Sequence, residues 1–377
     1  MTRTLGIDLG NAKVKYVALE AKDGHPQARW AAHPLPFTPQ LLPDRRSDFE
    51  AGLVTTSAAF LAELGWEPAS VDRVAVLTSH FYSYPSFRLG LHHTAEMARA
   101  LWGDAARLIG ADGHLYAPED CLALSGQEVV RFAATKFWGS AFLASRLIGT
   151  GLSVDTGTTS TDAIAILEGR IEPQAASDPD GFNLARLESQ RLMWYGLTAT
   201  PLDYAARHAS AFGQAYHLYP RQGTTASLAR ILDLVSPELA QRHAYGGHYP
   251  SRDEAMRDLA QAFGLDRELL SDETLIELAG NLHRQLIARI AEGIARVIAR
   301  AGLGQAAAIE AAVMGLGKDA LARPALLACG VTQIVDLEAA LDPELAAVST
   351  AYGAALTALE AVTGERYPLN SVPSATS

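Results

Sequence analysis

Two short stretches of the sequence each place an aspartate at the end of an apolar run and a glycine two residues later. The first is GIDLGNAKVKYV, with Asp8 and Gly10, and the second is SVDTGTTSTDAIAI, with Asp155 and Gly157. Glycine allows a tight turn and a close approach of the backbone to a ligand, because it has no Cβ and tolerates positive φ. Carboxylate oxygens suit Mg²⁺. The pair therefore predicts two phosphate-binding loops, with Asp8 and Asp155 as catalytic residues that hold Mg²⁺ directly or through water.

A third glycine element supports the same hypothesis. In AAVMGLGKDAL an apolar run leads through Gly315 and Gly317 into a helix, and such a turn suits a nucleotide or a diphosphate. Judged alone, each hairpin is more often a turn without a ligand, the third element is equally a tight strand–helix connection, and Lys13 is equally a solvated strand lysine. Their order along the chain favours a phosphate-binding cleft. The candidate phosphate- or nucleotide-binding residues are Gly10, Asn11, Lys13, Gly157, Thr158, Thr159, Thr161, Gly315 and Gly317.

Three further residues are candidates for substrate contact, namely Asp162, His80 and Arg191. His80 ends a predicted strand beside the aromatic run FYSYPSF, which is either a pocket wall or a loop that packs on the domain. Arg191 suits an acidic substrate tail, although surface arginines are more common. His92 and His93 are adjacent, so on a helix they point about 100° apart and do not easily share a metal ion.

The elements that must position these residues alternate between strand and helix. The spacing predicts a β-hairpin at the start, a buried strand in DRVAVLTSH, a helical pattern over 126–147 and the second hairpin. Lys136, in the helical pattern, is expected mainly to pack, although it could face the cleft. The longest helix is predicted to begin after Ser271 and to end at Gly302. This alternation indicates an α/β fold with a mixed or mainly parallel sheet.

The two matching hairpins indicate two similar domains facing each other across a cleft. We expect an N-terminal domain over 1–148, on which the helix 343–363 packs back, and a second domain with a helical insertion over 149–342. Residues 366–377 have the composition of a flexible tail.

Composition excludes some classes of function. A formal charge of −11 argues against a nucleic-acid partner, because phosphate-backbone contacts need clustered Lys and Arg. Two distant cysteines give no zinc spacing. The absence of a signal peptide and of a long apolar run predicts a cytoplasmic protein without a membrane partner, and a homodimer is compatible with the sequence.

The three glycine elements in this order resemble the actin, sugar kinase and Hsp70 (ASKHA) superfamily, which implies two ribonuclease-H-like domains around a central cleft and binding of ATP or ADP with Mg²⁺. Within it the chain resembles the hydantoinase/oxoprolinase-like branch, and in particular proteins of tetrahydromethanopterin- and methanofuran-linked one-carbon metabolism. The resemblance is carried by four stretches: GIDLGNAKVKYV, SVDTGTTSTDAIAILEGRI, YGLTATPL and GGHYPSRDEAMRDLAQAFGLD.

The resemblance implies an enzyme of one-carbon carrier biosynthesis. Such an enzyme would bind a small phosphorylated or diphosphorylated intermediate between the two Asp-x-Gly loops and act as a synthase that releases diphosphate. Departures from the pattern at 77–80 and at Ala199 leave the substrate open. Two alternatives also remain open: an ATP-dependent small-molecule kinase or hydantoinase-like hydrolase of the same fold, and a non-catalytic ligand-binding or scaffold protein.

Overall fold

The computed structural model describes residues 1–10, 13–34, 46–78, 84–172, 191–206, 209–211, 214–244 and 247–369. The strands are, in chain order, β1 (Thr2–Leu9), β2 (Lys13–Lys22), β3 (His25–Pro34), β4 (Arg73–Thr78), β5 (Ala106–Ile109), β6 (Leu115–Tyr116), β7 (Gly151–Thr156), β8 (Thr161–Leu167), β9 (Arg170–Ile171), β10 (Leu192–Met193), β11 (Ala209–Ala211), β12 (Gln214–Tyr216), β13 (Glu310–Met314) and β14 (Gln333–Asp336). The α-helices are α1 (Arg46–Leu64), α2 (Phe87–Trp102), α3 (Pro118–Ala123), α4 (Lys136–Ala144), α5 (Leu202–Ala205), α6 (Thr225–Ile231), α7 (Pro237–Arg242), α8 (Arg252–Ala262), α9 (Asp272–Ala301), α10 (Arg323–Ala328), α11 (Pro343–Ala346) and α12 (Ser349–Thr363).

The chain forms two compact units, each assembled from separate segments. Unit 1 comprises Met1–Gly149, Ile166–Glu188 and Asp336–Ser377, and unit 2 comprises Thr150–Ala165 and Ser189–Val335.

Unit 1 is built on a six-stranded sheet with the order β3-β2-β1-β4-β5-β6. The predicted first hairpin is confirmed, since β1 and β2 pair antiparallel with Leu9 opposite Val14. Strand β4 runs parallel to β1, and β5 runs parallel to β4. Because β1, β4 and β5 are parallel, their carboxyl ends lie along one edge of this sheet.

Helix α12 packs tightly on the centre of this sheet. A Cβ at Gly6 of β1 would lie 2.1 Å from the Ala351 carbonyl oxygen, and a Cβ at Gly353 would lie 2.1 Å from the carbonyl oxygen of Gly139 in α4. Real Cβ atoms do not approach so closely, so these glycines are what lets α12 contact both β1 and α4. The helical pattern predicted over 126–147 begins later as an α-helix, because 126–132 is 3₁₀-helical and Ala134 has φ of 57°.

Unit 2 has a second six-stranded sheet, ordered β10-β8-β7-β13-β14 with β9 beside β8. Strand β13 is parallel to β7, with Met314 opposite Asp155. Helix α9 packs on this unit's core through Leu286, Ile290 and Ile294.

The predicted limits of the longest helix are confirmed. The Ser271 hydroxyl accepts a hydrogen bond from the Thr274 N–H, and Gly302 ends the helix in the left-handed conformation. Its first half packs with α6 and α8 in a separate helical cluster. Among the described residues, no helix combines the length and apolarity required to cross a membrane.

Candidate functional site

Asp8 lies at the carboxyl end of β1, and its side chain is completely buried. The strand is central in its sheet, and Asp8 is paired with Lys15 on β2 and with Leu77 on β4. A carboxylate at such a position loses its hydration, so its charge must be compensated by neighbouring donors or cations.

Three side chains compensate this charge. The Thr350 hydroxyl donates to Asp8 Oδ2 over 2.5 Å, Lys15 Nζ lies 4.0 Å from Oδ2, and Lys136 Nζ lies 3.6 Å from Oδ1. The buried Oδ1 atom accepts no hydrogen bond from the residues that the structure describes. The contact of Oδ1 with Lys136 is therefore electrostatic.

Lys136 and Thr350 reach Asp8 because each begins a helix that is fixed by close packing. Lys136 is the first residue of α4, and Thr350 is the second residue of α12. A Cβ at Gly139 would lie 2.2 Å from the Thr350 carbonyl oxygen, so the two helix starts are in contact. The start of α4 is also tied to the sheet, since the Thr135 N–H donates to the Thr78 carbonyl over 2.9 Å.

Gly10 follows the strand in a very tight turn. Its N–H lies 3.0 Å from the carbonyl oxygens of both Asp8 and Lys13, and is therefore already engaged. A Cβ at Gly10 would lie 2.7 Å from the Lys13 carbonyl oxygen and 3.5 Å from Lys136 Nζ. The glycine thus lets the turn close beside the Lys136 ammonium group. Lys13 is half-buried at the start of β2, and Asn11 lies outside the described residues.

The second candidate locus, in unit 2, comprises Asp155 near the end of β7 and the turn that follows it, and we call residues 155–160 the Asp155 loop. The Gly157 N–H donates to the Ser160 carbonyl over 2.9 Å and closes the turn between β7 and β8. Asp155, Thr158 and Thr159 are half-buried, whereas Thr161 is buried. The loop therefore presents a carboxylate and two hydroxyl groups that are partly accessible to a ligand.

The YGLTATPL stretch holds this loop from one side. The Leu197 N–H donates to the Gly157 carbonyl over 3.0 Å, and the N–H groups of Thr198 and Ala199 donate to the Thr158 carbonyl over 3.1 and 2.8 Å. A Cβ at Gly196 would lie 2.4 Å from the Thr158 carbonyl. These residues belong to one of the four stretches that carry the resemblance, and here they fix the shape of the Asp155 loop.

The third glycine element contacts the same loop. Gly315 has φ of 86°, and a Cβ there would lie 2.5 Å from Asp155 Oδ1. The Gly317 N–H donates to the Thr156 carbonyl over 2.8 Å. Gly315 and Gly317 therefore shape the environment of Asp155.

The third glycine element is followed by a π-helical turn, Lys318–Ala322. This turn accepts a hydrogen bond from a histidine that the sequence analysis did not single out. His283 of α9 donates from Nε2 to the Ala320 carbonyl over 3.0 Å. Burial lowers the pKa of His283 from its ordinary value, and this favours the neutral imidazole. A carbonyl accepts only, so the neutral ring carries its proton on Nε2.

The contacts described around Asp8 and the Asp155 loop do not include all of the remaining predicted site residues. Asp162 lies on β8 opposite Leu192, and the Arg191 carbonyl accepts from the Ala163 N–H over 2.9 Å. His80 lies outside the described residues. His93 has both ring nitrogens hydrogen-bonded to other side chains, and no group of three metal-ligating side chains occurs within the described ranges.

Sequence reasoning missed Thr350 and undervalued Lys136, for which packing was the expected role. The run STAYGAAL around Thr350 is rich in small residues, which indicates close packing. Nothing in that run, however, indicates a contact with a residue 342 positions earlier.

No family model matches the chain. It is 24% identical over 181 residues to (4-{4-[2-(gamma-L-glutamylamino)ethyl]phenoxymethyl}furan-2-yl)methanamine synthase of Methanocaldococcus jannaschii. The match covers 48% of this chain and 52% of the synthase, so the chain spans about half the length of the curated relative that it matches.

Among solved structures, nucleotide-free acetone carboxylase aligns with a TM-score of 0.57 at 12% identity, covering 94% of this chain and 70% of that chain. Component A of the (R)-2-hydroxyglutaryl-CoA dehydratase of Acidaminococcus fermentans aligns at 14% identity with a TM-score of 0.46, covering 96% and 100% of the two chains. With its two six-stranded sheets and flanking helices, the chain has the mixed α/β, two-domain fold of actin-like and sugar-kinase-like proteins.

Proposed function

We propose that this protein is an enzyme of one-carbon carrier biosynthesis, in the tetrahydromethanopterin and methanofuran branch, and that it acts as a synthase on a phosphorylated or diphosphorylated intermediate. The observation that carries the proposal is the similarity to the furan-methanamine synthase. The resemblance to the hydantoinase/oxoprolinase-like branch points in the same direction.

The name of that synthase describes a phenoxymethyl furan, which is an aryl ether. Formation of such an ether requires a phenol oxygen to attack a methylene carbon. The bond from that carbon to a diphosphate oxygen breaks, and the phenol proton passes to a base. The protein must then stabilise negative charge on the departing diphosphate and provide the base.

In unit 1 the groups suited to the diphosphate are lysines. Lys136 is held beside Gly10 by its 3.6 Å contact with Asp8, and Lys13 begins the strand that follows the turn. An ammonium group binds phosphate as a point charge, and a lysine held by a buried carboxylate loses less side-chain entropy on binding. Asp8 then acts by placing Lys136 at the turn.

In unit 2 the Asp155 loop supplies the polar groups. Thr158 and Thr159 carry neighbouring hydroxyl groups, whose oxygens lie 3.3 Å apart and can donate to phosphate oxygens. Gly157 leaves room for a phosphate group beside the backbone, and Gly315 and Gly317 would support the loop from β13. Asp162 and Arg191 would contact the rest of the substrate.

The donor set is compatible with Mg²⁺ held mainly through ligand oxygens. Mg²⁺ commonly takes one or two protein carboxylates and completes its shell with water and phosphate oxygens. Asp155 is half-buried and fits this role. Bound Mg²⁺ would supply charge neutralisation for the leaving diphosphate.

Titration calorimetry of the full chain with diphosphate, ADP or ATP, each in the presence of Mg²⁺, tests this proposal. We expect diphosphate to bind without comparable nucleotide affinity, and Asp155→Asn and Lys136→Met to weaken binding about 10-fold or more, since a charge-assisted contact contributes about 1.5–3 kcal/mol. The matched controls are Asp253→Asn, whose carboxylate is exposed, and Lys22→Met, also at an exposed position.

The reaction itself is tested by mixing an aminomethylfuran diphosphate with γ-glutamyltyramine and measuring the ether and the released diphosphate. Nucleotide binding that Asp155→Asn abolishes would favour the ATP-dependent alternative. Absence of binding to either ligand would contradict both enzyme hypotheses and favour the scaffold alternative.

A further inference from the structure

Three side chains of unit 1 are hydrogen-bonded in series, and we call them the Tyr84 relay. The Tyr84 hydroxyl lies 2.6 Å from His93 Nδ1, and His93 Nε2 is hydrogen-bonded to the Glu50 carboxylate. Glu50 belongs to α1, His93 belongs to α2, and Tyr84 precedes α2 by three residues. The Tyr84 and His93 rings also contact each other, with centroids 5.5 Å apart.

The chemistry of the three groups fixes the direction of the hydrogen bonds. An ionised carboxylate only accepts, so His93 Nε2 carries a proton. In the neutral imidazole Nδ1 is then a bare acceptor, and it receives the hydrogen bond from the Tyr84 hydroxyl. The phenol can therefore pass its proton to an imidazole that a carboxylate stabilises, which is the arrangement of an activated nucleophile or base.

The burial of the three groups differs along the series. Side-chain exposure is 9% for His93 and 44% for Glu50, and Tyr84 is half-buried. The two hydrogen bonds engage both ring nitrogens of the buried imidazole. Here the series connects a partly accessible phenol to a carboxylate in solvent, so it provides an exit for a proton.

The chain connects this phenol to the candidate edge of the sheet through a short segment. Tyr84 follows Thr78, the last residue of β4, by six residues, and Leu77 is paired with Asp8. Six extended residues span at most about 20 Å. Tyr84 therefore lies within about 20 Å of the carboxyl end of β4, the strand that pairs with β1 beside Asp8.

We propose that Tyr84 is a catalytic general base for a hydroxyl-bearing aromatic substrate, with His93 and Glu50 as positioning residues. This deepens the proposed function, on which its choice of substrate rests. The substrate phenol proton moves to the Tyr84 oxygen while the Tyr84 proton moves to His93 Nδ1. The substrate oxygen bonds to the methylene carbon as the diphosphate leaves, and the imidazolium releases a proton to solvent at Glu50.

Acetylation by N-acetylimidazole tests the relay without any substrate. The acetyl carbon bonds to the phenol oxygen, its bond to the reagent nitrogen breaks, and the phenol proton passes to His93. We expect Tyr84 to be acetylated about 10-fold faster in the wild-type chain than in Glu50→Gln or His93→Gln, because general-base assistance contributes about 10²-fold or more when complete. Tyr219, which is 65% exposed, is the internal control and should react equally in all three proteins.

The tautomer of His93 provides a second measurement, because a purely structural role of the ring would not depend on which nitrogen carries the proton. In Glu50→Gln the side-chain amide can donate to Nε2 and move the ring proton to Nδ1, which blocks the hydrogen bond from Tyr84. ¹⁵N NMR of the ring should show this change. With the furan diphosphate and phenol substrates, Tyr84→Phe and Glu50→Gln should lower kcat about 10²-fold or more while leaving diphosphate affinity unchanged.

The two proposals fail in different ways. Equal Tyr84 acetylation in the wild type and both variants, or no acetylation of Tyr84 at all, would overturn the relay whatever reaction the protein catalyses. If Tyr84 acetylation depends on Glu50 and His93 but diphosphate does not bind, Tyr84 remains a base and the proposed synthase function is wrong.

Discussion

Replacement of Thr350 by valine should destabilise unit 1 by removing the hydrogen bond that Asp8 accepts. Valine has nearly the shape of threonine, so the substitution creates no cavity and isolates the loss of the hydroxyl. The hydrogen bond is 2.5 Å long, and its acceptor carboxylate has 0% side-chain exposure. After the change, the described residues would leave Asp8 with the ammonium groups of Lys15 and Lys136, at 4.0 and 3.6 Å.

The magnitude follows from the charge of the acceptor. A hydrogen bond to a charged group contributes about 1.5–3 kcal/mol, and a buried acceptor that loses its donor also keeps its desolvation penalty. Partial compensation by the lysines leaves an expected loss of about 2 kcal/mol. With a urea m-value of about 3 kcal/mol/M, the unfolding midpoint of unit 1 should fall by about 0.7 M.

Urea unfolding followed by hydrogen exchange of β1 peptides measures this change within unit 1. Thr357→Val is the matched control, because Thr357 lies on the same helix with 8% exposure and its hydroxyl donates to a neutral carbonyl, that of Gly353. A Thr350→Val protein that is no less stable than Thr357→Val would refute the view that Thr350 compensates the Asp8 charge.

Two further predictions concern helix α9 and its neighbours. Gly280→Ala should stabilise the protein by about 0.5–1 kcal/mol, because the new Cβ would lie near the flexible Arg284 side chain. Gly293→Ala should destabilise it by about 1–3 kcal/mol, because the new Cβ would lie 2.2 Å from Met193 Sδ. Equal denaturation midpoints of the two variants would contradict this. Burial lowers the pKa of folded His283 from 6.5, so the unfolded chain binds a proton first and stability should fall as the pH drops below about 6.5 towards the folded pKa. His283→Gln, which keeps a donor towards the Ala320 carbonyl, should reduce this dependence in pH-resolved denaturation, and an unchanged pH profile would show that His283 does not cause it.

The sequence predicted those elements whose ends are marked by turn or capping residues nearby in the chain. The hairpin around Gly10 follows from an apolar run and a turn signal, and the ends of α9 follow from the capping preferences of Ser271 and Gly302. The positions of Asp8 and Asp155 at strand ends follow for the same reason. These features depend on residues within a few positions of one another.

The surroundings of Asp8 could not be predicted in this way. The contact of Lys136 with Asp8 depends on the packing of α4 against α12, which in turn depends on Gly139 and Gly353. A glycine in a helical pattern ordinarily indicates a weak helix, and its role in a close approach appears only when both helices are in place. The same holds for the Tyr84 relay, whose three members come from segments with no shared motif.

The hydrogen bond between Thr350 and Asp8 also sets an order of events during synthesis. The two residues are 342 positions apart, and α12 covers Gly6 on the same strand. At about 5–20 residues per second, the ribosome makes Asp8 roughly 17 to 70 s before Thr350. During that interval β1 carries a carboxylate without its hydroxyl donor and a surface without its helix. Unit 1 therefore completes its packing only after α12 has been made.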